Sequence, residues 1–310
     1  MYLQHFGLRE LPFSLTPDTQ FFLNSTSHHK ALNLLLLALE GAEGFIKITG
    51  EVGTGKTLLC RKLLNTLDKE KYITAYIPNP GLSADALVVA FAEELDVRIP
   101  WGMAKHRLMA DITEKLLAIA EDNKSVVLLI DEAQAMPEQT LEGLRLLTNL
   151  ETEKRKLLQV VLFGQPELNE VLDKYSMRQL KQRITFSYQV KPLDREGVNE
   201  YVTHRLLTAG YNGPALFSAK AIDLLFRATC GIPRLINILS HKALLAAYGK
   251  GQRSVGAVHI RAAIKDTEGV MMLRDTQTIS PLKSVILATL ACILGVAGGL
   301  AWAYFQGLIK

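Results

Sequence analysis

The chain has 310 residues, 48% of them hydrophobic, and its 35 basic and 31 acidic residues give a formal charge of only +4. That length accommodates two domains with appendages, and so small a net charge makes no case for a nucleic-acid partner. Cys60, Cys230 and Cys292 stand far apart without paired metal spacing, which excludes a disulfide framework and fits a reducing compartment.

Residues 1–16 contain His5, Arg9 and Glu10 among apolar residues, so no cleavable signal peptide is expected. Phe6, Pro12 and Phe13 either wall an adenine pocket or pack in the core. His28 and His29 precede an apolar helix at 31–39, without a Cys, Asp or Glu at ligand spacing, and read as capping surface residues.

The apolar run 45–49 reads as a strand and 58–67 as a helix. Between them stand Gly50, Glu51, Val52, Gly53, Thr54, Gly55, Lys56 and Thr57, which satisfy every fixed position of a phosphate-binding loop in the strand–loop–helix context it requires. Glycines let successive backbone N–H groups converge on one anion, and the helix N-terminus adds partial positive charge. Lys56 is expected to reach the β- and γ-phosphates, Thr57 to help hold Mg²⁺, and Leu58 to close the nucleotide-binding run.

Further strands are expected at 72–77, 126–130, 157–163 and 184–190, and helices at 83–95, 106–120 and 138–150. Strands and helices in alternation, with strand 126–130 apolar throughout and 157–163 another buried strand, predict a parallel α/β sheet. Strand 126–130 runs into Asp131 and Glu132. An apolar strand ending in two acids is the second nucleotide-hydrolysis motif: Asp131 is the expected Mg²⁺ partner and Glu132 the base for the attacking water. The sequence has no Asn-Lys-x-Asp guanine-reading tetrapeptide, so ATP rather than GTP is the expected nucleotide.

Gln165, at the end of the next strand, is the candidate sensor of the γ-phosphate. Arg183, just before the last strand, is the candidate finger onto a neighbouring subunit's ATP, with Arg178 competing for that role. From 194 onward the pattern is helical only, and Arg234, behind Gly231, Ile232 and Pro233, is placed to reach back to the γ-phosphate and report hydrolysis as a lid movement.

Residues 284–309 contain no charge. The core of that run, 285–305, would span about 32 Å as a helix, which is enough to cross a bilayer once. Trp302, Tyr304 and Phe305 sit where an interfacial aromatic belt would, and Ala291, Gly295, Gly299 and Ala303 form a small-residue stripe suited to helix packing. The expected division is therefore a nucleotide-binding α/β domain at 1–193, a helical lid at 194–267, a linker at 268–284, a transmembrane helix at 285–305 and a short tail at 306–310. The catalytic portion is expected in the cytoplasm, anchored to the membrane.

These residues together resemble the AAA+ ATPases of the ExeA/GspA type. The resemblance runs through residues 2–17, the loop at 50–57, Asp131 to Gln134, the Gly-Gln-Pro-Glu-Leu run at 164–168 and residues 231–237, which open with Gly-Ile-Pro-Arg. It implies a five-stranded parallel P-loop NTPase sheet with a C-terminal helical lid, and ATP and Mg²⁺ as cofactors. It also implies ring-like, ATP-dependent homo-oligomers with active sites between subunits, working with inner-membrane proteins of a secretion or type IV (MSHA-like) pilus complex in a Gram-negative envelope.

Members of that type continue into a periplasmic peptidoglycan-binding domain, whereas this sequence stops at Lys310, so direct cell-wall binding is not carried over. Two other readings compete. Similar modules serve transposition-target selection, which gives an ATP-dependent DNA-binding regulator; the membrane helix argues against it, and the basic cluster Lys154, Arg155 and Lys156 reads as a solvated loop. The other is a nucleotide-gated scaffold with negligible turnover.

Overall fold

The computed structural model describes residues 2–267 apart from 24, 79, 149 and 151–155. The expected linker, transmembrane helix and tail, with Cys292 and the 291–303 stripe, lie outside the described residues, as do Lys154 and Arg155. Among the described residues no helix is long and apolar enough to cross a membrane.

In chain order the elements are α1 (Tyr2–Phe6), α2 (Thr26–Glu40), β1 (Phe45–Gly50), α3 (Lys56–Thr66), β2 (Tyr72–Ile77), α4 (Ala84–Glu94), α5 (Lys105–Glu121), β3 (Ser125–Ile130), α6 (Glu138–Leu147), β4 (Leu158–Gly164), α7 (Glu167–Leu172), α8 (Arg178–Arg183) and β5 (Ile184–Val190), followed by α9 (Arg195–Thr208), α10 (Ala219–Thr229), α11 (Pro233–Gly249) and α12 (Ala257–Lys265). The five strands form one parallel sheet in the order β2-β3-β4-β1-β5.

The sheet is covered on both faces, and the pleat sorts its side chains between two cores. Val126, Leu128, Ile130, Val160 and Leu162 pack on one face with Phe91 of α4, Ile112 and Leu116 of α5 and Leu141 of α6. Val127, Leu129, Val161 and Phe163 point to the other, with Ile46 and Ile48 of β1, Leu35 of α2 and Leu59 of α3. This is why residues 126–130 of β3 and 160–163 of β4 are apolar without a break: neither face of a central parallel strand meets water. β5, at the sheet edge, alternates half-buried and exposed positions before closing on buried Val190.

The first two helices after β5 start at side-chain caps legible in the sequence: Asp194 accepts from the Gly197 amide ahead of α9, and Ser218 from the Ala221 amide ahead of α10. Their core holds Val198, Val202, Leu225, Ile236, Leu239 and Leu244. Tyr2, Phe6, Leu8, Phe13 and Phe21 pack there too, so the N-terminal stretch, first in the chain, is built into the helical bundle rather than the sheet. The turn between α10 and α11 is fixed to the segment that leaves β5 by a close approach. Gly231 has φ +76°, its carbonyl accepts from the Leu193 amide at 2.9 Å, and a Cβ there would lie 1.8 Å from the Leu193 carbonyl oxygen.

Candidate active site at the carboxyl edge of the sheet

Parallel strands deliver their carboxyl ends to one edge, and the register aligns Thr49 of β1 with Gly164 of β4 and Ile130 of β3 with Leu162 of β4. The loop after β1, the two acids after β3 and the polar residue after β4 therefore meet where ligands of open α/β sheets bind.

The loop geometry explains its glycines. A Cβ on Gly50 would come within 2.9 Å of both Thr54 Oγ1 and the Val190 carbonyl oxygen, and Gly53 and Gly55 sit at φ +80° and +94°. Thr54 closes the turn, its hydroxyl donating to the Glu51 carbonyl at 2.8 Å. Gly55 caps α3, so the amide end of an eleven-residue helix opens into the loop. Lys56 is buried and folded across it, donating to the carbonyls of Gly50 at 2.7 Å and Glu51 at 3.0 Å. Burial lowers its pKa, opposed by the negative charges of Glu132, Asp131, Glu51 and Glu167. An ammonium resting on two carbonyls, with those acids around it, is ready to exchange these partners for phosphate oxygens. Thr57 and Leu58 follow, both half-buried.

Asp131 is buried, and burial raises its pKa against hydrogen bonds from the Thr57 hydroxyl and the Glu132 amide. The Glu132 amide donates to Asp131 Oδ1 at 3.0 Å. Glu132 itself has φ +52°, a conformation disfavoured for a residue with a side chain. Its Oε2 accepts from Gln134 Nε2 at 2.6 Å and from Gln165 Nε2 at 3.1 Å, while Gln134 Oε1 accepts from the Gln165 amide at 2.9 Å. Gln165 thus stands beside Glu132. Gln134, which the sequence reading did not give a role, completes the clasp. Thr57 with Asp131 fits Mg²⁺: this ion keeps most of its ligands as water and phosphate and takes one or two from protein, and the described residues include no group of three or more His, Cys, Asp or Glu that could form an all-protein cage.

The helical bundle roofs the loop. The Arg234 amide, in the first turn of α11, donates to the Gly53 carbonyl at 3.2 Å. Beside it a cavity of about 280 Å³ is lined by the loop, Glu132, Gln165, Arg234, Asn237 and the strap Ser14 to Asp18. Arg205 also lines it, buried, donating to the carbonyls of Pro12 and Ser14 and to the Tyr201 hydroxyl, with its guanidinium 4.6 Å above the Phe21 ring. Phe6 and Phe13 do not line the cavity; they pack in the bundle core.

One placement differs from the sequence reading. His28 is not a surface cap: it is 6% exposed, lines the cavity, and its Nε2 stands 3.0 Å from the Thr54 carbonyl. Its partner lies 26 residues away in the chain, a contact that periodicity could not show. Arg183 lies at the starting edge of the sheet, since Ile184 is in register with Phe45, and donates to Thr148 Oγ1 at 3.2 Å. Arg178 is exposed, its guanidinium 4.3 Å over the ring of Tyr175.

Residues 39–172 match the AAA domain family. The chain is 41% identical over 305 residues to the General secretion pathway protein A of Aeromonas hydrophila, a match covering 98% of this chain and 54% of that protein, so the chain spans about half the length of this relative. Among solved structures, Cdc6p of Pyrobaculum aerophilum is similar with a TM-score of 0.64 and 18% identity, over 82% of this chain and 70% of that one. The ORC2 protein of Aeropyrum pernix, solved as ADPNP-ADP complexes, gives a TM-score of 0.61 and 14% identity over 83% and 71%. At such identities these two structures speak for the fold.

Proposed function

We propose that this chain, an AAA ATPase of the General secretion pathway protein A type, uses ATP binding and hydrolysis at the loop of residues 50–57 to build and reset an inner-membrane assembly supporting an envelope secretion or type IV (MSHA-like) pilus complex. The observation that carries the reading is the convergence, on one cavity, of the phosphate loop, Glu132 after β3 and the Arg234 end of α11.

In this reading Lys56 leaves its carbonyl partners for the β- and γ-phosphates, and Thr57 and Asp131 hold Mg²⁺, which when bound neutralises phosphate charge. Glu132 takes the proton of the attacking water once its clasp with Gln134 and Gln165 opens, a general-base effect of about 10²–10⁴-fold. Gln165 senses the γ-phosphate. Arg234 transmits its loss to a lid formed by residues 194–267, since the Arg234 amide already bonds the phosphate loop. Active sites are completed between subunits of a homo-oligomer, with Arg183 or Arg178 reaching a neighbour's nucleotide; the exposure of Arg178 favours it for that contact. The uncharged segment 285–305 anchors the assembly in the inner membrane, with the ATPase portion in the cytoplasm.

The test is partner capture from detergent-solubilised membranes with ATP, comparing Glu132→Gln, which binds without turning over, with Lys56→Ala, which does not bind. Envelope secretion or pilus proteins retained by the Glu132 variant alone are the expected result. Nucleoid DNA or DNA-processing proteins retained instead would replace this reading with that of a DNA-binding regulator.

A further inference from the structure

We infer that His28 is a positioning residue of the phosphate loop: its Nε2–H holds the Thr54 carbonyl and so aims the Gly55 N–H at the phosphates. The inference rests on the nucleotide-binding reading and deepens it.

A carbonyl oxygen only accepts, so the 3.0 Å contact between His28 Nε2 and the Thr54 carbonyl places the ring proton on Nε2. The other nitrogen, Nδ1, lies 2.7 Å from Ser25 Oγ and accepts the hydroxyl proton. Ser25 is also the cap of α2, accepting from the His28 amide, so one serine starts the helix and selects the tautomer of the ring. Phe22 packs edge-on against the imidazole with ring centroids 5.5 Å apart, which leaves the ring little freedom to rotate.

The consequence for the loop follows from peptide planarity. No peptide in the described chain is cis. In a planar trans unit the C=O and the next N–H point in opposite directions. With the Thr54 carbonyl drawn to His28, the Gly55 N–H faces away from it. Gly55 is the position where this matters, because at φ +94° it is free to swing. The ring sits close enough that a Cβ on Gly55 would meet His28 Nε2 at 3.0 Å, so ring and loop fit against each other without slack.

The test is the affinity of the full-length chain for N-methylanthraniloyl-ATP with Mg²⁺, read beside the thermal midpoint of the nucleotide-free protein. His28→Leu fills the space without a donor, and His28→Gln restores an N–H at similar reach. The expected result is binding about tenfold weaker for the Leu variant, the scale of one well-placed hydrogen bond, and binding within about threefold of wild type for the Gln variant, with similar thermal midpoints for the two. Should the Leu variant not fold, His28→Asn, whose amide stops short of Thr54, carries the same expectation. Wild-type affinity in the donor-less variants, or equal losses in the Leu and Gln variants, would overturn the inference. Failure of the wild-type chain itself to bind the analogue, with Lys56→Ala no different, would instead remove the nucleotide reading beneath it.

Discussion

Gly53→Ala separates the docking of the helical bundle from the strain of the loop. Gly53 has φ +80°, and a Cβ there would stand 2.6 Å from Arg234 Cβ and 3.3 Å from Ile232 Cγ2. The left-handed conformation costs an L-residue about 1–2 kcal/mol. The contact with Arg234 must also open by roughly 1 Å to reach ordinary carbon–carbon separation, which stretches the 3.2 Å bond from the Arg234 amide to the Gly53 carbonyl beyond hydrogen-bonding range and costs about 1 kcal/mol more. Both costs fall on the loop form that cradles phosphate, so they are felt as lost nucleotide affinity of about 2–3 kcal/mol, or roughly 30- to 150-fold. Gly251→Ala is the control: it has φ +65° with nothing within 4 Å of the added carbon, so it carries the same kind of strain far from the loop. Equilibrium titration with the fluorescent ATP analogue is the assay. Gly53→Ala binding as tightly as Gly251→Ala would refute the argument that the bundle rests on the loop through this contact.

Gly231→Ala places a carbon 1.8 Å from the Leu193 carbonyl oxygen at φ +76°, and is expected to cost about 3 kcal/mol or more of stability, read as a large fall in thermal midpoint or loss of soluble protein. Burial lowers the pKa of His28, His204, His241 and His259 from 6.5, reinforced by Arg205 at His204 and by Lys250 at His259, and opposed at His28 by its bond to Thr54. The unfolded chain therefore takes up protons first as pH falls, so stability present above 6.5 is lost toward acid. Thermal melts from neutral to acidic pH should show this decline, with a shallower slope in His259→Gln; a midpoint that rises with acid would contradict it. Arg178→Ala is expected to lower turnover in a way that mixing with Lys56→Ala subunits partly restores, because each supplies what the other lacks across an interface. Arg183→Ala should chiefly cost the bond to Thr148, about 1 kcal/mol of stability.

What the sequence disclosed and what it withheld follow from chain distance. The phosphate loop, the strands entering it and the capped helices are contiguous runs whose chemistry is local, and strands β1, β3 and β4 stand within a residue of where alternation and apolar runs put them. Asp131 and Glu132 were legible because an apolar strand delivers them. The contact of His28 with Thr54 spans 26 residues and that of Arg205 with Ser14 spans 191, and nothing local marks either pair. The N-terminal aromatics gave no sign that their partners were α9 to α12. Gln134 stood in a motif, but its bond from the Gln165 amide needs the adjacent strand to bring Gln165 alongside.

The most direct test measures ATP binding and phosphate release on the same preparations of wild type, Lys56→Ala and Glu132→Gln. Wild type is expected to bind and hydrolyse, Lys56→Ala to do neither, and Glu132→Gln to bind with turnover reduced about 100-fold or more. Glu132→Gln hydrolysing at the wild-type rate, or Lys56→Ala binding ATP as tightly as wild type, would contradict it.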